Sequence, residues 1–158
     1  MSITPKKISK KELLAIWSQV PADYYDKGIS ENILQRLWHQ KKLSEILSFV
    51  PKKPVKVLDV GCSSGIITHQ VHNNLPKRSK VHGIDSYKAA VDLAKTKYPH
   101  ISFAVADAHK LPFKNKYFDL VICTETLEHV TNPQGVLSEI KRVLKKDNIL
   151  RYHRLKQV

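Results

Sequence analysis

The sequence predicts an α/β fold in which a parallel sheet is flanked by helices. Short apolar segments alternate with segments of helical character along residues 55–146. Three apolar segments carry an aspartate at or beside their carboxyl end, namely Asp59, Asp85 and Asp107. Strands and helices that alternate in this way form a parallel sheet with right-handed crossovers. The chain has 158 residues, 42% of them apolar, which suits one domain with a buried core.

Residues 1–54 are predicted to form a helical lead-in or cap. We expect a short helix ahead of Pro21, then a polar turn through Gly28, then a second helix with Ser30 as its N-cap. The second helix should pack on the sheet or lie over a cleft. Its apolar face is expected to comprise Ile33, Leu34, Leu37, Trp38, Ile46, Leu47 and Val50.

Residues 55–158 are predicted to form the core of the domain. Strands are expected at 55–60, 80–85, 101–106 and 118–123, and helices at 65–74, 86–98 and 132–146. Ser86 and Asn132 are the expected caps of the last two helices. Beyond the fourth strand we expect only the start of a fifth, at Ile149-Leu150, and therefore an incomplete sheet. A truncated chain, a second copy or another partner that covers the exposed edge would account for this.

The acids at the strand ends are suited to bind a nucleoside. Asp85 lies 20 residues after Gly65, where a carboxylate can accept hydrogen bonds from both hydroxyls of a ribose. Asp107 can accept from an exocyclic amine such as that of adenine. Gly61 and Gly65 allow positive φ and the close approach of a ligand. The spacing of this turn departs from G-x-G-x-x-G, which disfavours a dinucleotide-dependent dehydrogenase.

The stretch Asp59-x-Gly61-x-Ser63-x-Gly65 resembles the first motif of class I S-adenosylmethionine-dependent methyltransferases, which have a Rossmann-like sheet. Ser63 replaces the family's central glycine, a change that is tolerated unless the position needs positive φ. The resemblance covers residues 55 to about 146 and is strongest to the subgroup that acts on small molecules and on quinone or lipid intermediates. It is also carried by Gly83-Ile84-Asp85, Ala106-Asp107-Ala108, Phe118-Asp119-Leu120-Val121-Ile122, Glu125-Thr126-Leu127-Glu128-His129-Val130 and Asn132-Pro133.

The resemblance implies S-adenosylmethionine as the cofactor and S-adenosylhomocysteine as its product. It implies that the turn residues Gly61, Cys62, Ser63 and Gly65 contact the methionine part, that Asp85 contacts the ribose, and that Asp107 and Ala108 contact adenine. Thr124 and Glu125 would lie near the reactive methyl group, and Asp59 and Ser86 are further candidate cofactor-binding residues. Glu125 and His129, with Glu128 beside them, are the candidate general bases on position. For His129 a packing role and a cleft role remain equally open. Cys123 is expected in the core, and so is Trp38.

A small-molecule or lipid-like methyl acceptor is therefore expected. The alternatives are RNA or protein methylation, or a binding-only, inactive remnant. The formal net charge of +13 suits nucleic acid, but the lysines are scattered in ones and twos, and no basic and aromatic residues alternate. No metal site or membrane span is expected. Two cysteines in unlike settings do not suggest a disulfide framework, which favours a cytoplasmic protein.

Overall fold

The computed structural model describes residues 9–153 as a parallel sheet with helices on both faces. The strands are β1 (Lys56–Val60), β2 (Lys80–Asp85), β3 (Ser102–Val105), β4 (Phe118–Thr124) and β5 (Leu144–His153). The helices are α1 (Lys10–Trp17), α2 (Tyr24–Glu31), α3 (Ile33–Leu47), α4 (Ile66–Asn74), α5 (Lys88–Lys97) and α6 (Pro133–Val143), with a short 3₁₀ helix at Leu127–His129. The strand order is β3-β2-β1-β4-β5, with every pair parallel. The predicted α/β fold is confirmed.

The core lies on both faces of the central strands. Successive residues of β1 alternate between the two faces, as a pleated strand requires. Val57 packs in a cluster with residues of α4 and α5, whereas Leu58 and Val60 pack in a second cluster with residues of α6. Because both faces of β1 are covered, its apolar residues form an almost continuous run rather than an alternating one.

The fifth strand is longer than predicted, and α6 is shorter. The helix was expected to reach Lys146, but it ends at Val143, and β5 begins with Leu144 beside Phe118. The carbonyl groups of Arg142 and Val143 accept hydrogen bonds from the loop before β4 (2.9 and 2.7 Å), which satisfies the end of the helix at this point. The pairing of β5 with β4 then continues, after an irregularity, through five registered positions.

The caps of two helices differ from the prediction. The expected polar turn through Gly28 is helical and belongs to α2. Ser30 is not an N-cap, because its hydroxyl donates to the carbonyl of Lys27 inside α2; Asn32 caps α3 instead, accepting from two backbone N–H groups. Ser86 is not the cap of α5 either, since that position is held by Tyr87. Asn132 caps α6 as predicted, by accepting from the N–H of Gly135.

The predicted apolar face of α3 is wrong in its first half. Ile33, Leu34 and Leu37 are more than half exposed, at 58%, 73% and 54%. The side of α3 that faces the domain instead buries His39, Lys42 and Ile46. The helix therefore lies over the edge of the sheet where the strands end, with a basic residue on its inner side.

Candidate active site

A cavity of about 710 Å³ lies at the carboxyl ends of β1, β2, β3 and β4. Its floor is formed by the residues that follow these strands, and its roof by residues of α1, α2 and α3. Of the site residues predicted from the sequence, Gly65 and Glu128 do not line it. The lining residues among them are Asp59, Gly61, Cys62, Ser63, Asp85, Ser86, Asp107, Ala108, Thr124, Glu125 and His129.

The glycine turn of the floor is built from left-handed backbone. Gly61 and Gly65 both have φ of +81°, and Ser63 has φ of +48°. Ser63 therefore has a positive φ at the position where the family has glycine. A side chain in this conformation costs roughly 1–2 kcal/mol. The N–H of Ser63 donates to Asp85 Oδ2 (2.9 Å), and this bond helps to hold the strained turn against β2. Gly65 supports the site from outside the cavity, as the left-handed N-cap of α4.

Asp59 is a buried acid beneath the glycine turn. It is 2% exposed and accepts a hydrogen bond of 2.6 Å from the Thr68 hydroxyl. Burial raises its pKa to about 6, although the Thr68 hydrogen bond and the positive charge of Lys42 act in the opposite direction. Near neutral pH this acid is therefore close to its titration range, unlike an ordinary surface aspartate.

Asp85 combines a structural role with free acceptor capacity. Its Oδ1 accepts from the N–H of Tyr87 and its Oδ2 from the N–H of Ser63, both at 2.9 Å. Burial raises its pKa, and these backbone N–H groups oppose the shift. An ionised carboxylate has about four acceptor positions, so two backbone bonds leave room for the hydroxyls of a ligand.

Asp107 contacts His109, a cavity residue that was not predicted from the sequence. His109 lines the cavity, and its backbone N–H and ring Nδ1 both contact Asp107 Oδ1, at 2.9 and 2.8 Å. Among the described residues, the other ring nitrogen, Nε2, is buried without a hydrogen-bond partner. In the sequence, the only feature that marks His109 is its position two residues after the strand-end acid Asp107.

In the roof, Trp38 lies in a different place from the one predicted, and its neighbour His39 is the buried residue. Trp38 was expected in the core, but it is half-buried and lines the cavity. His39 is 2% exposed and lies in the core, where its Nε2 is 2.6 Å from Gln70 Oε1. The two residues are adjacent on α3, so a rotation of the helix relative to the expected face accounts for the exposure of Trp38 to the cavity and the burial of His39.

Lys42 is the second residue that the sequence reading missed. Its side chain is 3% exposed, and its ammonium group donates to Tyr25 Oη and, at 3.3 Å, to Glu125 Oε1. The same nitrogen lies 4.2 Å from the ring centroid of Trp38. In the sequence Lys42 is one of two adjacent lysines and has the pattern of a surface residue.

The end of β4 is held in an unusual conformation. Glu125 has φ of +53°, a left-handed value that is rare for this residue type. Beside it the Thr126 hydroxyl donates to the carbonyl groups of Val60 and Thr124, at 3.0 and 3.1 Å, which ties this loop to β1. His129 lines the cavity and lies edge-on to Trp17, with ring centroids 4.5 Å apart. His129 therefore both lines the cavity and has a packing contact, and its role in the cleft stays a prediction.

Neither a metal-binding cluster nor a membrane-spanning helix is found in the part of the chain that the structure describes. Within residues 9–153, no group of three or more His, Cys, Asp or Glu side chains is arranged to hold a metal ion. In that same range, no helix is both long enough and apolar enough to cross a lipid bilayer. Both cysteines are free and buried.

Comparison with known proteins agrees with the fold. A family described as a methyltransferase domain matches residues 58–151. The ubiquinone/menaquinone biosynthesis C-methyltransferase of Campylobacter jejuni is 29% identical over 147 residues, which is 89% of this chain and 62% of that protein. The ubiquinone biosynthesis O-methyltransferase of Coxiella burnetii is 27% identical over 149 residues, with 92% and 62% of the two chains covered.

A solved methyltransferase structure has a similar fold. The methyltransferase bound to the Haloferax volcanii Trm112 methyltransferase activator is 28% identical, with a TM-score of 0.69 over 89% of this chain and 59% of that one. The chain belongs to the methyltransferase domain family, and its fold is that of the class I S-adenosylmethionine-dependent enzymes. It spans about 62% of the length of the curated relatives named above.

Proposed function

We propose that this chain binds S-adenosylmethionine on the cavity floor and transfers its methyl group to a small aromatic acceptor of the quinone type held under the roof. The observation that carries the proposal is the convergence of Asp59, Asp85, Asp107 and Glu125 on one cavity at four strand ends. Its volume of about 710 Å³ lies within the usual range for sites that hold small ligands.

The donor set of the floor fits such a cofactor. Asp85 has free acceptor capacity for ribose hydroxyls, and Asp107 with His109 offers polar atoms suited to adenine. The turn from Gly61 to Ser63 would hold the methionine part near Asp59. S-adenosylmethionine, when bound, supplies a methyl group that is already activated by the positive charge on sulfur.

The chain's own residues then have two tasks. The roof excludes water and orients the acceptor, and correct alignment supplies most of the rate enhancement in a reaction of this kind. Glu125 and His129 are the proposed proton acceptors, because both line the cavity at the end of β4.

The walls of the cavity support an aromatic acceptor. Trp17, Tyr24 and Trp38 line it from the roof, alongside the apolar side chains Leu13, Ile29 and Leu34. Flat apolar rings pack well on such surfaces. Two of the relatives are named for steps in ubiquinone or menaquinone biosynthesis, one on carbon and one on oxygen, which agrees with this class of acceptor.

Calorimetry with S-adenosylhomocysteine tests the cofactor site. We expect binding to the wild-type chain, and we expect Asp85→Ala to weaken it by at least about fivefold, since loss of paired hydrogen bonds costs more than about 1 kcal/mol. Asp92→Ala, on the exposed side of α5, is the matched control and should bind like the wild type. No heat from a folded wild-type chain, or equal affinity in both variants, would contradict the proposed site.

Transfer of a labelled methyl group separates the remaining functions. We expect label in a reduced naphthoquinone and not in RNA or protein. Label in RNA, with affinity that falls steeply as salt increases, would instead favour a nucleic-acid enzyme. Cofactor binding without transfer to any acceptor would identify a binding-only chain. The prediction that a partner or a second copy covers a sheet edge remains a prediction; in the described sheet the outer strands are β3 and β5.

A further inference from the structure

The roof of the cavity contains a buried ion pair that connects two distant parts of the chain. Lys42 on α3 and Glu125 after β4 lie 3.3 Å apart, with side chains 3% and 19% exposed. Both residues line the cavity, as do Tyr25 and Trp38, which contact the same ammonium group. Burying an unpaired ammonium group is costly, so a lysine in this position needs the carboxylate.

The surroundings of Lys42 are rich in negative charge. Asp59, Glu125 and Glu128 all favour its charged form, which opposes the lowering of its pKa by burial. The pKa of Tyr25 is raised by burial and by the Glu125 charge, so its hydroxyl keeps its proton and remains a donor. Two hydrogen-bond donors, one of them cationic, therefore stand beside one carboxylate in the cavity wall.

We propose that Lys42, Tyr25 and Glu125 form a subsite for an acceptor that carries an acidic hydroxyl, such as a phenol or a hydroquinone, and that this subsite binds the acceptor in its ionised form. The inference rests on the proposed function and names the acceptor chemistry within it. Lys42 is the residue that binds the acceptor oxygen, and Glu125 is the residue that takes its proton.

The proton transfer balances within the group. The acceptor O–H bond breaks, a new O–H bond forms on the Glu125 carboxylate, and the electron pair stays on the acceptor oxygen. Lys42 then pairs with this oxyanion instead of with the neutralised Glu125. The net charge of the cavity wall and the acceptor together does not change, so ionisation of the acceptor does not add an uncompensated charge to a buried site. An opposite charge within hydrogen-bond distance also favours the ionised form of the acceptor.

The test uses 4-nitrophenol, whose phenolate and neutral forms differ in visible absorbance, with the protein saturated with S-adenosylhomocysteine. We expect the wild-type chain to bind the probe as phenolate at a pH at least about one unit below the titration midpoint of the free probe. Lys42→Met should weaken binding by about tenfold or more and leave the bound probe neutral. 4-Nitroanisole, which lacks the hydroxyl, should bind both chains with affinities within about twofold of each other.

Two further variants keep the test decisive. Lys41→Met changes the neighbouring exposed lysine of α3 and should behave like the wild type. Lys42→Met with Glu125→Gln leaves no unpaired carboxylate, so it replaces the single variant if that chain does not fold; it too should bind only neutral probe.

The outcomes separate the two proposals. Absence of S-adenosylhomocysteine binding to the wild type contradicts the proposed function itself. Normal binding of that ligand, with the probe ionised equally in the wild type and in Lys42→Met, overturns only the subsite. Equal affinity of the wild type for 4-nitrophenol and 4-nitroanisole would overturn it as well.

Discussion

The floor and the roof of the cavity differ in how their residues are fixed. The floor consists of strand ends and the turn after β1, and most of its residues are placed by their positions along the strands. The roof consists of helices α1–α3, and its key side chain, Lys42, is fixed by a contact with Glu125 that is 83 residues away in the chain. The floor therefore depends on short-range rules, whereas the roof depends on the packing of one helix against the sheet.

The largest expected difference between floor and roof is in the response to alanine at a glycine. At Gly61, a Cβ atom would lie 2.0 Å from Thr126 Oγ1, and φ is +81°, so Gly61→Ala should destabilise the chain by at least about 2 kcal/mol. At Gly28, inside α2, a Cβ atom would meet the end of the flexible Gln35 side chain. Gly28→Ala should therefore be neutral or stabilise the chain by up to about 1 kcal/mol.

Urea denaturation of the two alanine variants measures this contrast. Equal loss of stability in both would show that the roof is as tightly constrained as the floor. A stable Gly61→Ala chain would show that Thr126 moves away without cost, in spite of its hydrogen bonds to Val60 and Thr124.

A smaller effect is expected from the buried acid of the floor. The pKa of Asp59 is raised to about 6 in the folded chain, against about 3.9 for an unfolded one. The folded state therefore holds this proton more tightly, and the stability that this gives is complete below pH 4 and is lost as the pH rises through 6. Asp59→Asn should raise the free energy of unfolding by about 3 kcal/mol at pH 8 and leave it nearly unchanged at pH 4.

Denaturation of the ligand-free chain at pH 4, 6 and 8 checks this prediction. Asp92→Asn is the control, because Asp92 is exposed on α5 and its side chain pairs with Lys88 at the surface. A gain in stability that is the same at all three pH values would contradict a titration of Asp59. We also expect the Asp59→Asn chain to bind S-adenosylhomocysteine more weakly, so that stability and binding change in opposite directions.

The smallest expected effect concerns the outer side of the roof. Leu37 is 54% exposed, so Leu37→Gln should change the free energy of unfolding by less than about 0.5 kcal/mol. Ile46→Val, at a buried position of the same helix, should cost about 1 kcal/mol. If Leu37→Gln costs as much as Ile46→Val, the apolar face predicted from the sequence is packed after all, and the orientation of α3 in the structure is wrong.

The sequence by itself was sufficient for the sheet and for most of the floor. Alternating apolar segments, two glycines and the strand-end acids are local patterns, and a parallel sheet brings the ends of its strands together whatever the details of packing. The bounds of β2 and the Asn132 cap of α6 were predicted correctly for this reason.

Only the tertiary structure decided the roof. The sequence pattern of α3 favoured an inner face with Leu34 and Leu37, but the helix turns His39 and Lys42 inward instead. A lysine can be buried only where a distant carboxylate compensates its charge, and no local pattern identifies that carboxylate as Glu125. The left-handed φ of Ser63 and Glu125 was likewise set by surrounding contacts, because neither residue type prefers that conformation. Residues that depend on long-range partners are therefore the ones that the sequence left undetermined.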